Sequence, residues 1–338
     1  ADWYNSNFII AWGSNMLQTR TPDAHYFTEV RNKGAKVVAV TPDYSEVAKL
    51  ADLWMHPKQG TDAAVAMAMG HVILKEFYFD KRSAYFDDYA RRYTDLPLLV
   101  VLEQKTLPDG RTVMVPGRYV RASDFEGHLG QTNHPDWKTV AYGTDGQVAL
   151  PNGSIGFRWG KDGRDDQGLW NLESKEARTG NDVQLKLSVL EDGAQAHDVA
   201  DVAFPYFGGI ATPNFNANEQ GGDVVVRRVP VTHLDLRGEG VQGRVAVATV
   251  FDLQAAQYGI HRGLPGEGAY EGYDANAPYT PAWQERITGV PRDQVIAIAR
   301  QFADNADKTH GKSMVIIGAA MNHWYHCDMN YRGVINLL

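Results

Sequence analysis

The sequence predicts an α/β protein: a parallel sheet flanked by helices that carries a large, mainly β, loop-rich insertion. Three observations point there. Asn7 to Asn15 reads as a buried strand that runs into a Gly13-Ser14-Asn15 turn and then a helix. Its apolar run, Phe8 to Ala11, lacks alternation, as suits a parallel strand covered on both faces. A second β-branched run, Lys36 to Val40, completes a β-α-β unit of about 33 residues. From about Leu96 to Val250, helical periodicity fades and Gly, Pro, Asn and Asp turns recur between short alternating runs.

Within the first unit, Gly13 permits a sharp turn, and Ser14 and Asn15 are placed to cap the next helix. Free N–H groups and a helix dipole at that point favour a phosphate. Thr21-Pro22-Asp23 opens a helix to about Asn32, closed by Gly34. Thr41-Pro42-Asp43-Tyr44-Ser45 stands at the carboxyl end of the second strand. There Asp43 either reaches the ribose or base of a nucleotide or, with Ser45, caps the helix Glu46 to Asp52; both readings stay open. Leu53-Trp54-Met55 is a short third strand. Thr61 or Asp62 is expected to cap a long helix from Ala63 to about Phe77, whose Val65, Met69, Val72 and Ile73 form a core stripe. A further helix is expected from Phe79 to Tyr93, with Arg91 and Arg92 either meeting a phosphate or, the favoured reading, on a solvated face.

In the insertion, Thr139 to Tyr142, Gln147 to Leu150 and Asp182 to Val189 read as short strands. Asp109-Gly110, Asp145-Gly146 and Asn152-Gly153 read as hairpin turns. His128, His134, His197 and His233 are scattered without metal-ligand spacing, and Tyr206-Phe207-Gly208-Gly209 reads as a packing turn. The chain then returns to α/β character. Val245 to Phe251 is a strand followed by a helix, Asp252 to Tyr258. Pro281-Ala282-Trp283 starts another helix, and Arg292 to Asn305 is amphipathic through Val295, Ile298, Ala299 and Phe302. Ser313 to Gly318 and the following Ala319 to His326 form a second strand-turn unit, so the sequence has two candidate ligand edges.

Composition narrows the function. The chain has 338 residues, 43% hydrophobic, with net charge −8 and a pI near 5.8. This length suits one large domain or two, and the mild acidity without a basic run argues against nucleic acid as a partner. Cys327 is the sole cysteine, so no internal disulfide and no cysteine-ligated cluster can be assembled from this chain. No stretch approaches the roughly 18 apolar residues of a membrane span. The first residue is not Met and the last six residues are an apolar run, from which an excerpt of a longer protein is expected. The absence of Gly-x-Gly-x-x-Gly counts against NAD or FAD, and that of Gly-x-x-x-x-Gly-Lys-Ser/Thr against an ordinary NTPase.

Taken in order, Trp12-Gly13-Ser14-Asn15, Thr41-Pro42-Asp43, Lys49 to Asp52, Gly60 to Ala64, Ile287 to Pro291 and Gly318 to His323 resemble the molybdopterin oxidoreductases of the dimethyl-sulfoxide-reductase family. Ala1 to Asn7, Gln59 to Asp62, Pro151 to Gly160, Phe204 to Gly209 and Asn322 to His326 resemble one branch of it, the catalytic alpha subunits of membrane-bound respiratory nitrate reductases. The resemblance covers essentially the whole chain and implies a Rossmann-like sheet, with residues 1–312 cradling a molybdopterin guanine dinucleotide and residues 313–338 returning into a neighbouring α/β domain.

It also implies roles by position. Trp12, Gly13, Ser14 and Asn15 correspond to the phosphate-side turn. Thr41, Pro42, Asp43, Tyr44 and Ser45 correspond to the guanosine loop, and Gly60, Thr61 and Asp62 to the loop facing guanine, whose edge a carboxylate can accept. Gly318 and Asn322 match the turn approaching pterin and metal, with His323 or its rival His326 as the catalytic histidine. The implied cofactor is molybdenum bis(molybdopterin guanine dinucleotide), with an iron–sulfur cluster elsewhere in the parent. The protein ligand to molybdenum, an aspartate in this branch, and the cluster ligands lie upstream, so no metal ligand is assigned here and the isolated chain is expected to be inactive and cofactor-free. The implied partners are nitrate, an iron–sulfur beta subunit and a membrane haem gamma subunit, with the parent peripheral on the cytoplasmic face or the external one. The alternatives are a guanine-nucleotide-binding or subunit-contact module, and a reductase of a related oxyanion such as chlorate or selenate.

Overall fold

A computed structural model describes residues 2–107, 110–157, 169–192, 198–205, 224–268 and 272–338. Asp109, Arg158-Trp159-Gly160, His197 and Tyr206 to Gly209 lie outside the described residues. The chain divides into two units, residues 1–85 with 258–260 and 270–338, and residues 86–257 with 261–269.

The first unit is built on a four-stranded parallel sheet. β1 (Phe8–Trp12) is central and buried at every position, β2 (Lys36–Val40) lies beside it, and β3 (Leu53–Met55) forms one edge. The other edge is the final strand, Ser313–Ile317, which pairs in parallel with β1 from Phe8↔Ser313 to Trp12↔Ile317. This corrects the expectation that residues 313–338 enter a neighbouring domain: the pairing partner of an apolar strand is chosen by register across the sheet, which proximity in sequence does not reveal. On one face, Ile9, Ala11, Val37 and Ala39 join Trp3, Phe27, Val30 and Val47 in a buried cluster, the period-2 signature of a covered strand.

Helix ends depart from expectation because tertiary contacts settle them. α1 (Met16–Thr19) is a single turn, followed after Arg20 by α2 (Thr21–Asn32). α3 spans Glu46–Leu50 and α4 spans Asp62–Ile73. α4 continues as a π-helical stretch, Leu74–Asp80, instead of ending near Phe77. Lys81 and Arg82 then break the path, Arg82 with φ 44°, so α5 begins only at Ala84 and runs to Tyr93. After the insertion the unit resumes with the helices Pro281–Thr288 and Arg292–Thr309 and closes with the helix Cys327–Ile335.

The second unit is a closed five-stranded barrel. Its ring order is β10 (Asp198–Pro205), β11 (Val224–Gly238), β12 (Val241–Thr249), β4 (Leu99–Thr106) and β5 (Thr112–Tyr119). Two hairpins accompany it: β6 (Ala141–Tyr142) with β7 (Val148–Ala149), and β8 (Pro151–Phe157) with β9 (Leu169–Glu176). Asn152-Gly153 therefore lies inside β8 and makes no hairpin turn, and Asp182 to Val189 contributes only isolated bridges. β12 starts earlier than expected and yields at Val250 to the helix Val250–Gln257. β4 is buried on both faces, Leu99 and Val101 in one cluster and Val100 and Leu102 in another.

Buried charge in this unit is paired. Arg91 is not on a solvated face: it meets Asp87 at 2.8 Å and Glu191 at 2.8 Å. Asp252, fully buried, receives Arg262 Nη1 at 2.6 Å, the Ser188 and Thr249 hydroxyls at 2.7 and 2.8 Å, and Val189 N at 3.0 Å. Removing one member of such a pair leaves the other charge uncompensated. Arg262→Ala is expected to destabilise this unit by about 3–5 kcal/mol, read as a lower urea midpoint at unchanged slope.

Candidate functional site

Strand order places β2 and the final strand on opposite sides of β1, so the order of strand addition reverses at β1 while every strand stays parallel. In open parallel sheets the ligand crevice lies outside such a switch point. The turns after β1, β2 and the final strand meet there. Gly13, at φ 58°, turns the chain and donates from N to Val40 O at 2.8 Å. Gly318 N donates to Trp12 O at 2.8 Å. A Cβ on Gly318 would stand 2.0 Å from Gly13 O and 2.4 Å from Ser14 Cα, so no other residue fits.

The structure assigns most of the predicted residues a definite place. Trp12 is fully buried and its indole Nε1 donates to Asp62 Oδ1 at 2.8 Å, tying β1 to the start of α4. Asp62 is 5% exposed, so the carboxylate expected to face guanine is already engaged inside the protein, and neither it nor Thr61 caps α4. Thr61 donates its hydroxyl to Lys58 O at 2.6 Å. Ser14 is 3% exposed, and its hydroxyl has no partner among the described residues. Asn15 makes no side-chain cap on α1; its Oδ1 instead accepts from Val47 N of α3 at 3.3 Å. Thr41 is buried and donates its hydroxyl to Asp43 Oδ1 at 2.8 Å, while Ser45 makes no side-chain cap on α3. Asp43 and Tyr44 are exposed and Pro42 half-buried. Tyr44 meets Trp54 edge-on, with ring centroids 5.1 Å apart.

The second turn is less enclosed. Asn322, His323 and His326 are exposed. His323 ends a 3-10 turn, Ala319–His323, and His326 precedes the last helix in the left-handed region at φ 58°, its ring 4.2 Å from that of Tyr325. Gly60 approaches this segment, since a Cβ there would lie 3.7 Å from Trp324 Cβ. Sequence reasoning missed Trp54, Trp324 and Asn330 as builders of the edge. Of these, Trp54 alone carried a signal, an indole in a strand at a carboxyl edge. Among the described residues no group of three or more His, Cys, Asp or Glu could hold a metal.

The donor set fits an oxygen-rich anionic group. It comprises the backbone after Gly13, an enclosed Ser14 hydroxyl without a partner, and a turn whose approach to Gly318 excludes side chains. The chain belongs to the molybdopterin oxidoreductase family, whose match covers residues 1–338. It is 58% identical over its whole length to the respiratory nitrate reductase 1 alpha chain of Escherichia coli, of which it covers 26%. It is 42% identical to the nitrate reductase alpha chain of Bacillus subtilis, covering 25%, and 28% identical to the perchlorate reductase alpha subunit of Dechloromonas aromatica, covering 27%. The chain thus spans about a quarter of the length of these curated relatives.

Burial lifts the Asp62 carboxyl above its ordinary 3.8, partly opposed by the Trp12 indole. A raised folded value means the folded state holds the proton longer, so stability falls as pH climbs from that ordinary value to the folded one, and is level above. Asp62→Asn is expected to abolish this fall, so its thermal midpoint relative to wild type improves from pH 4 to 7. Gly318→Ala is expected to destabilise by about 3 kcal/mol through forced separation of the two turns, measured by chemical denaturation.

Proposed function

We propose that this chain is a segment of the catalytic subunit of a respiratory nitrate reductase, which reduces nitrate to nitrite in anaerobic respiration. The single observation that carries the reading is the 58% identity, sustained over the full chain, to a respiratory nitrate reductase alpha chain. In this reading the segment cradles one molybdopterin guanine dinucleotide of a molybdenum centre. The iron–sulfur cluster and the protein ligand to molybdenum belong to other parts of the parent.

The Gly13–Asn15 turn and the Ser14 hydroxyl bind phosphate oxygens, and Thr41 to Ser45 hold the guanosine. Gly60 and Thr61 border the guanine, with Asp62 acting chiefly by fixing Trp12 and the start of α4. Gly318 and Asn322 line the pterin side. When bound, the molybdenum–pterin group supplies the two-electron redox chemistry. Reduction of nitrate to nitrite and water also consumes two protons. His323 and His326, exposed beside the second turn, are the imidazoles of this edge that pass those protons to the reacting oxygen. The parent acts with an iron–sulfur beta subunit and a membrane haem gamma subunit as a peripheral subunit on the cytoplasmic face. No helix among the described residues is long and apolar enough to cross a membrane. Similarity to a perchlorate reductase subunit keeps related oxyanions as a second substrate class.

The test is molybdenum and pterin content, with nitrate-dependent oxidation of a reduced viologen, on the full-length chain and on this 338-residue segment. Metal, pterin and activity are expected in the full-length chain alone. A full-length chain lacking all three, purified under cofactor-preserving conditions, overturns the reading in favour of a nucleotide-binding or subunit-contact module. Faster turnover of chlorate or selenate than of nitrate moves it to the wider oxyanion class.

A further inference from the structure

The start of α4 carries the Gly60–Asp62 corner, and its first amides lack the local cap that the sequence offers. Thr61 directs its hydroxyl to Lys58 O, and Asp62 turns to Trp12. One amide is satisfied from far along the chain: Ala63 N donates to Asn330 Oδ1 at 3.0 Å, across 267 positions. Asn330 is 2% exposed, within the helix Cys327–Ile335. Because Ala63 N can only donate, this bond fixes which end of the amide is oxygen. The other end, Nδ2, is then an enclosed donor with no acceptor among the described residues. Buried donors are ordinarily paired, so an orphan calls for a specific partner.

The surroundings indicate where that partner belongs. Next in the helix, the Tyr331 hydroxyl donates to Gly318 O at 3.4 Å. A Cβ on Gly333 would lie 3.5 Å from both Ala63 Cα and Ala66 Cβ, so the helix crosses the first turns of α4. Asn330 therefore stands between the Gly60–Asp62 corner and the Gly318 turn, the two edges that the proposed cofactor spans. This rests on the reading given under Proposed function.

We propose that Asn330 is a positioning residue with two separable tasks. Its carbonyl oxygen anchors the start of α4, and with it the Gly60–Asp62 corner, while its NH2 group donates to an oxygen acceptor of the bound pterin dinucleotide. Asn330→Asp separates the tasks. It retains an oxygen for Ala63 N, and a helix N-terminus favours the added negative charge, but it presents no NH2. Asn330→Leu removes both.

The experiment measures, on the full-length chain, the thermal midpoint of the cofactor-free protein and the molybdenum and pterin carried per purified chain. Asn330→Asp is expected to keep its midpoint within about 3 °C of wild type while its cofactor content falls roughly tenfold or more. Asn330→Leu is expected to lose both. Cofactor content in Asn330→Asp equal to wild type overturns the donor task. A midpoint that falls as far in Asn330→Asp as in Asn330→Leu, or in neither, overturns the anchoring task. Wild-type protein without molybdenum and pterin overturns the functional reading itself, which this arm shows independently of the variants.

Discussion

The first unit depends on a contact made without side chains. Gly318 leaves the final strand so close to the turn after β1 that a single methyl group would strike the Gly13 carbonyl. The parallel register of the final strand on β1 delivers Gly318 to that point, and Gly318 N closes the arrangement on Trp12 O. Two turns that are some three hundred residues apart in sequence thereby become one edge. Parallel strands end on the same side of their sheet, so every turn in the first unit that bears a candidate ligand group is gathered there.

Around this contact, polar groups divide by burial. Trp12, Asp62 and Asn330 are enclosed and act as brackets, tying β1 and the last helix to the start of α4. Asp43, Tyr44, Asn322, His323 and His326 are exposed at the rim. The division changes the role of Asp62. A carboxylate that already accepts an indole N–H, and whose ionised form burial disfavours, is better suited to holding the edge in shape than to gripping a base. The exposed histidines have the opposite character, with rings left open to solvent.

The second unit solves a different problem. Its strands carry apolar residues on both faces, as β4 does, and closing them into a barrel protects them from open edges. The Asp252–Arg262 pair shows how charge is tolerated inside: both carboxylate oxygens are occupied, by a guanidinium, two hydroxyls and a backbone N–H. Arg91 is held similarly by Asp87 and Glu191. Neither constellation has a free group to offer a substrate, in keeping with the candidate site lying in the other unit.

Much of this was legible in residues alone. Phe8 to Ala11, Val37 to Val40 and Met314 to Ile317 are unbroken apolar runs, and such runs become covered parallel strands because nothing else buries both faces. The Gly-Ser-Asn turn and the Thr-Pro-Asp loop were visible for the same local reason. Tertiary structure decided the rest. Asn152-Gly153 has hairpin chemistry yet lies within β8, since pairing with β9 outweighs a local turn preference. Asn15 and Asn330 cap helices other than their own, because an unpaired N–H at a helix start donates to whichever carbonyl oxygen stands nearest in space, whatever its place in the chain. The final strand joins β1, and Asp62 turns inward, for the same reason: short-range patterns specify what each segment can become, and burial against distant segments selects among those options.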